Sequence, residues 1–208
     1  TISLGESKPA INCQNKHHVA HEQLQYSRDL LPEQNLYDIL YYALDIQITP
    51  TFETISGSVI ITLEAKAEGL TDIILDAADH LVIENITSTG LSDFSHYDDR
   101  LTIVYINPLF EGEQKEIMIN YHGSTGSGVA WEGGIVYSGN QLYSLNCPYG
   151  MSVWIPCKDH PSDKANGMDI KVTLPESYVV ASNGVRLGII DNGDGTRTHH
   201  WLESYPIA

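Results

Sequence analysis

From Leu36 onward the apolar residues recur at every second position, and no stretch sustains the 3.6-residue spacing of an amphipathic helix. In "YDILYYALDIQIT" (37–49) a period of two places Tyr42, Leu44, Ile46 and Ile48 on one face, as a half-buried strand requires. "ISGSVIITLEA", "IILDA", "HLVIENITS", "RLTIVYI", "KEIMINYHG", "DIKVTLP", "YVVASNG", "VRLGII" and "RTHHWLE" repeat the pattern, with turn-rich "NPLFEGEQ" between two of them. "DNGDGT" reads as a hairpin turn, because two glycines there supply the positive φ such turns need. The chain shows no internal repeat. These features predict an all-β fold in which a smaller sheet packs over a curved one.

Composition narrows the function. Against 11 Lys and Arg stand 27 Asp and Glu, a net charge of −16, which repels phosphates and argues against a nucleic-acid partner. No apolar run approaches the roughly 18 residues of a membrane-spanning helix. Cys13, Cys147 and Cys157 form no CxxC pair, which disfavours a structural zinc knot and rules out a dense disulfide framework; a Cys147–Cys157 bridge stays open. Residues 1–34 are polar and weakly patterned, an N-terminal extension with a short helix or strap, and 35–208 form the β domain. The chain stops at "SYPIA" directly after a strand, as at a cut between domains, and its non-Met start and polar leader incline towards an exported protein of bacterial type.

Several stretches invite a chemical reading and fail it. "HEQLQ" (21–25) has Gln25 where the zincin motif needs a second histidine on the same helical face. His199 and His200 are adjacent on a strand, so they face opposite ways and cannot share an ion. "DNGDGT" has Leu202 where a calcium loop carries its bidentate Glu. The Gly/Ser-rich stretch 123–134, anchored by Trp131, is not framed by a strand and a helix as a phosphate cradle would be; it reads as a mobile surface loop able to line a neighbouring cleft. "VWIPCKDHPSDKA" (153–165) is the densest cluster of reactive side chains. Pro156 and Pro161 make it a rigid corner outside any ladder. Asp159 is placed to accept N–H bonds from the turn on its C-terminal side, and Cys157, beside Trp154 and Ile155, reads as a small buried hydrophobe.

Together with residues 166–208, the same stretch resembles the end of the N-terminal domain of the aminopeptidase N and leukotriene hydrolase family of zinc metallopeptidases. The pattern is carried by Pro156, Cys157, Asp159, Pro161, Lys164, Ala165, Pro175, Ser182, Asn183, Gly184, Trp201, Pro206, Ile207 and Ala208, and the opening strands at 37–49 and 55–65 match as well. The resemblance spans about residues 36–208. It implies a saddle-shaped β domain, with smaller packed sheets, lying against the chain's own C-terminal catalytic domain, expected after residue 208. That domain would hold the zinc and the HExxH motif, so this chain would carry no catalytic residue and no metal, and would be inactive alone.

The resemblance also implies a substrate contact. Ten residues before the family's Pro-Cys cysteine, a Glu or Gln reaches the cleft and holds the peptide substrate's α-amino group, since a carboxylate or amide accepts hydrogen bonds from an ammonium. Here that position is Cys147, within a cleft-lining segment of Asn146, Cys147, Pro148, Tyr149 and Gly150. Cysteine accepts poorly from an ammonium, which leaves the amine to Asn146 or to a Glu of the catalytic domain. Two rival readings remain: a standalone β-sandwich binding module for glycans, with Trp131, Tyr137 and Tyr143 as a platform, and the scaffold domain of a catalytically inactive relative.

Overall fold

A computed structural model describes residues 30–126, 133–146 and 148–206. Among them are twelve strands: β1 (Tyr37–Thr49), β2 (Thr54–Ala65), β3 (Leu70–Asp76), β4 (Leu81–Thr87), β5 (Leu91–Tyr97), β6 (Arg100–Leu109), β7 (Gln114–Ser124), β8 (Ile135–Ser138), β9 (Gln141–Ser144), β10 (Gly167–Pro175), β11 (Val185–Asp191) and β12 (Thr196–Glu203). Two short 3-10 helices, Pro32–Leu36 and Met151–Val153, complete the regular structure. The seven-stranded main sheet has the order β11-β12-β10-β1-β2-β7-β4; β3-β6-β5 form a second sheet and β8-β9 a hairpin. The all-β expectation holds, with a main sheet and smaller ones.

β1 is the spine. Tyr42, Leu44, Ile46 and Ile48 are all buried, on the face the alternation predicts. Ahead of them Tyr37 and Ile39 are buried too, in the opposite phase. The change comes from a bulge: Ile39 pairs with Leu63 and Tyr41 with Thr62, so Leu40 is the extra residue that resets which side chains point inward. β1 pairs antiparallel with β2 on one side and parallel with β10 on the other, making the sheet mixed. Its inner face meets the second sheet, where the cross-strand pairs Ile73–Ile103 and Leu75–Leu101 are fully buried in one apolar cluster with it.

Three local expectations change. "YVVASNG" (178–184) is not a strand. Both edges of β10 are taken, by β1 and β12, so the segment leaving Pro175 has no ladder to join; it turns at Tyr178 and packs Tyr178 and Val180 on the core. Asn107 and Pro108 lie within β6 rather than in a turn, at a register break between Val104 and Leu109 where no ladder N–H is needed from Pro108. β5 and the β8-β9 hairpin carry weak alternation and are additional strands. The Asn192–Gly195 turn and the split of His199 and His200 stand as read: His199 is buried, and His200 faces out onto the Asp169 carboxylate at 2.9 Å. "HEQLQ", residues 1–29 of the 1–34 extension, Trp131 and Cys147 lie outside the described residues.

Candidate functional site

The corner at 148–163 is assembled from the main chain upward. Gly150 has φ 116°, a conformation that turns the chain sharply into the 3-10 helix at Met151–Val153. A Cβ built on Gly133 would lie 2.4 Å from the Gly150 Cα, so the two backbones are in direct contact and both positions require glycine. The turn aims its N–H groups at Asp159. Oδ2 of that carboxylate accepts from Gly150 N at 2.8 Å, Ser152 N at 3.2 Å and Ser152 Oγ at 2.8 Å. The donors therefore come from the turn preceding Asp159, a correction to the sequence reading. After Asp159 the chain uses other acceptors: His160 N donates to the Lys158 carbonyl, and Asp163 N to the His160 carbonyl.

The rest of the stretch is buried and paired. Pro156, Cys157, Lys158 and Asp159 are all inaccessible, whereas Pro161 is half-buried. Cys157 exchanges main-chain bonds with Asp76 at the end of β3, N–H to carbonyl at 2.7 and 3.0 Å. The Lys158 ammonium pairs with Asp163, donates to the Tyr37 carbonyl at 2.9 Å and sits 4.6 Å from the Tyr37 ring centroid. Asp163 also accepts from Ile39 N at 3.2 Å, next to the β1 bulge. Asp76 is 3% exposed; it pairs with Arg100 and accepts from Gln34 Nε2 at 3.1 Å and from Asp159 N at 2.9 Å. Burial pushes the Tyr37 hydroxyl pKa up, reinforced by nearby Asp163, so it stays a neutral donor to the Ile74 carbonyl at 2.6 Å.

Among the residues expected to line a cleft, Pro148 is exposed and Tyr149 half-buried, its ring tilted against His160 at 5.8 Å between centroids. Asn146 is committed to the turn. In one orientation its carboxamide oxygen accepts from Trp154 Nε1 at 3.3 Å; turned over, the amide instead donates to the Leu145 and Gly150 carbonyls at 3.2 and 3.1 Å. Tyr137 and Tyr143 are no joint platform: Tyr137 pairs with Leu142 and Tyr143 with Val136, which puts the two rings on opposite faces of the hairpin. No group of three or more His, Cys, Asp or Glu among the described residues is arranged to hold a metal ion, so the side chains described do not fit zinc.

Sequence reasoning missed Asp76, Arg100, Gln34, Ser152 and the Lys158–Asp163 pairing. Asp76 had one signal, an acid that closes the apolar run "IILD" out of phase with Ile73 and Leu75 and is followed by Ala77 and Ala78. A charge there is tolerated only when a partner waits inside.

The Peptidase M1 N-terminal domain family matches residues 38–208. Among solved structures, an M1 zinc metallopeptidase from Deinococcus radiodurans is similar with a TM-score of 0.73 and 25% identity, over 82% of this chain and 39% of that one. A mutant from the same organism bound to a Tyr-Ser-Ala substrate gives a TM-score of 0.72 at 25% identity, over 81% and 39%. A two-domain M1 zinc metallopeptidase mutant bound to L-arginine shares the fold at 24% identity, with a TM-score of 0.73 over 82% and 40%. The chain thus spans about two fifths of the length of these structures. No curated protein matches it significantly.

Proposed function

The chain belongs to the Peptidase M1 N-terminal domain family, and from that premise we propose that it is the non-catalytic domain of a zinc aminopeptidase. In this reading, residues 35–208 wall one side of the active-site cleft and help position the amino end of a peptide substrate, with 1–34 as a leading extension. A subsequent catalytic domain supplies the zinc and the hydrolytic chemistry.

The observation that carries the reading is the turn at 148–152. It is pinned from beneath by a buried carboxylate through three hydrogen bonds, while Pro148 and Tyr149 remain accessible. A wall that orients a substrate must keep its geometry when the substrate arrives, and buried charge-assisted bonds provide that rigidity. Asn146 serves in this scheme as part of the turn, because its amide is spent on Trp154 or on neighbouring carbonyls. The substrate's ammonium is then left to a carboxylate of the catalytic domain.

Hydrolysis of aminoacyl-anilides by the full-length protein, with and without a zinc chelator, tests the reading. Release that the chelator abolishes is the expected result. No release from a folded, zinc-replete preparation favours the inactive scaffold instead.

A further inference from the structure

The 148–152 turn is suspended from the end of β3 by two parallel linkages. One is mostly main chain: Asp76 and Cys157 exchange N–H to carbonyl bonds and Ala78 N donates to the Ser152 carbonyl at 3.0 Å, with the His80 ring adding Nε2 to the Val153 carbonyl at 2.8 Å. The other runs through side chains. Arg100 on β6 pairs with Asp76, which also accepts from Gln34 at 3.1 Å and from the N–H of Asp159 at 2.9 Å. Asp159 in turn collects the Gly150 and Ser152 donors. From Asp76 on β3 to the turn the path stays in the protein interior, Asp76 being 3% and Asp159 7% exposed.

The order of these bonds gives Asp76 a role that its distance from the turn conceals. Asp159 holds three donors with one oxygen, so the placement of the turn depends on the placement of the Asp159 backbone. That backbone is fixed at its own N–H by Asp76. A carboxylate charge-balanced by Arg100 is a stronger acceptor there than a neutral group. We infer that Asp76 is a positioning residue for the substrate's amino end, acting through Asp159 on the Gly150–Ser152 turn. This rests on the cleft-wall reading above, and the experiment separates the two.

In the full-length protein, Asp76→Asn and Ser152→Ala are compared with Ile103→Ala, a core truncation on β6 that removes none of the corner's hydrogen bonds. Two quantities are measured: amide hydrogen exchange at Gly150 and Ser152 under native conditions, and kcat and KM for an aminoacyl-anilide. Both corner variants are expected to speed exchange at these amides on the order of tenfold. KM should rise several-fold with kcat held within about twofold, the mark of lost binding rather than lost chemistry. Ile103→Ala lowers the melting temperature without either change. Should Asp76→Asn fail to fold, Arg100→Lys, which leaves the carboxylate in place and alters only its charge partner, carries the test of Asp76, while Ser152→Ala tests the last bond to the turn. Unchanged exchange at both amides overturns the linkage. Faster exchange with KM unmoved in an active protein overturns the positioning role alone, whereas a protein that hydrolyses nothing overturns it by removing the cleft reading; in both cases the linkage itself stands.

Discussion

The corner from Ile155 to Asp163 and the edge strand β11 treat polarity in opposite ways. The corner buries Lys158, Asp159 and the Asp163 carboxylate, whereas β11 leaves Val185, Leu187, Ile189 and Ile190 between 45% and 67% exposed. Hydropathy alone would exchange the two. What separates them is the supply of partners. Every charge in the corner meets an opposite charge, a main-chain donor or a carbonyl, so the desolvation cost is offset bond by bond. β11 has one neighbour, β12, and lies at the end of the sheet, so its side chains have little to pack on. In these two regions burial follows the supply of partners rather than residue type.

Four substitutions sharpen or break that contrast. Asp159→Ala is the most severe, because it removes the carboxylate that accepts from three buried donors; a loss of about 3 kcal/mol in denaturant unfolding is expected. A variant as stable as the parent would show that the corner tolerates loss of that acceptor and that the contrast is superficial. Gly133→Ala comes second, at about 2 kcal/mol, from a positive φ and from the contact with Gly150, and is read from the midpoint of the same unfolding curve.

His199 ranks third. It is buried on the inner face of β12, and desolvation, then the nearby positive charge of Arg186, lowers its pKa. The folded state thus binds fewer protons than the unfolded one, so stability falls as pH drops below the ordinary histidine value of about 6.5. Melting temperatures at pH 7.5 and 5.5 should differ less in His199→Gln than in the parent; an equal drop in both proteins assigns the acid sensitivity elsewhere. Ile190→Lys on β11 is expected to cost less than about 0.5 kcal/mol. A larger loss in thermal unfolding would mean that the edge strand contributes to the core after all.

Much of the fold was legible in advance because burial of one sheet face writes itself into alternation. Tyr42, Leu44, Ile46 and Ile48 needed no partner to be assigned to the inside. The corner was legible as a corner from Pro156 and Pro161, yet the source of the Asp159 bonds was not, since the left-handed Gly150 that directs those donors is set by the path of the chain. "YVVASNG" misled for a related reason: its composition suits a strand, but whether a strand forms depends on a free ladder edge, and none was left beside β10. Asp76 and Asp159 lie 83 residues apart in the chain, and no spacing rule connects positions that far separated.

Alternation, turn glycines and prolines, and an ordered family pattern therefore determined by themselves the all-β class, the inward face of β1 and membership of the Peptidase M1 N-terminal domain family. These are properties of neighbours in the chain, where side-chain direction and backbone freedom are local. Tertiary structure alone decided the parallel pairing of β1 with β10, the bulge at Leu40 and the Arg100–Asp76–Asp159 path to the turn. Each of those joins groups remote in sequence, and buried charges become stable only once the fold has brought their partners together.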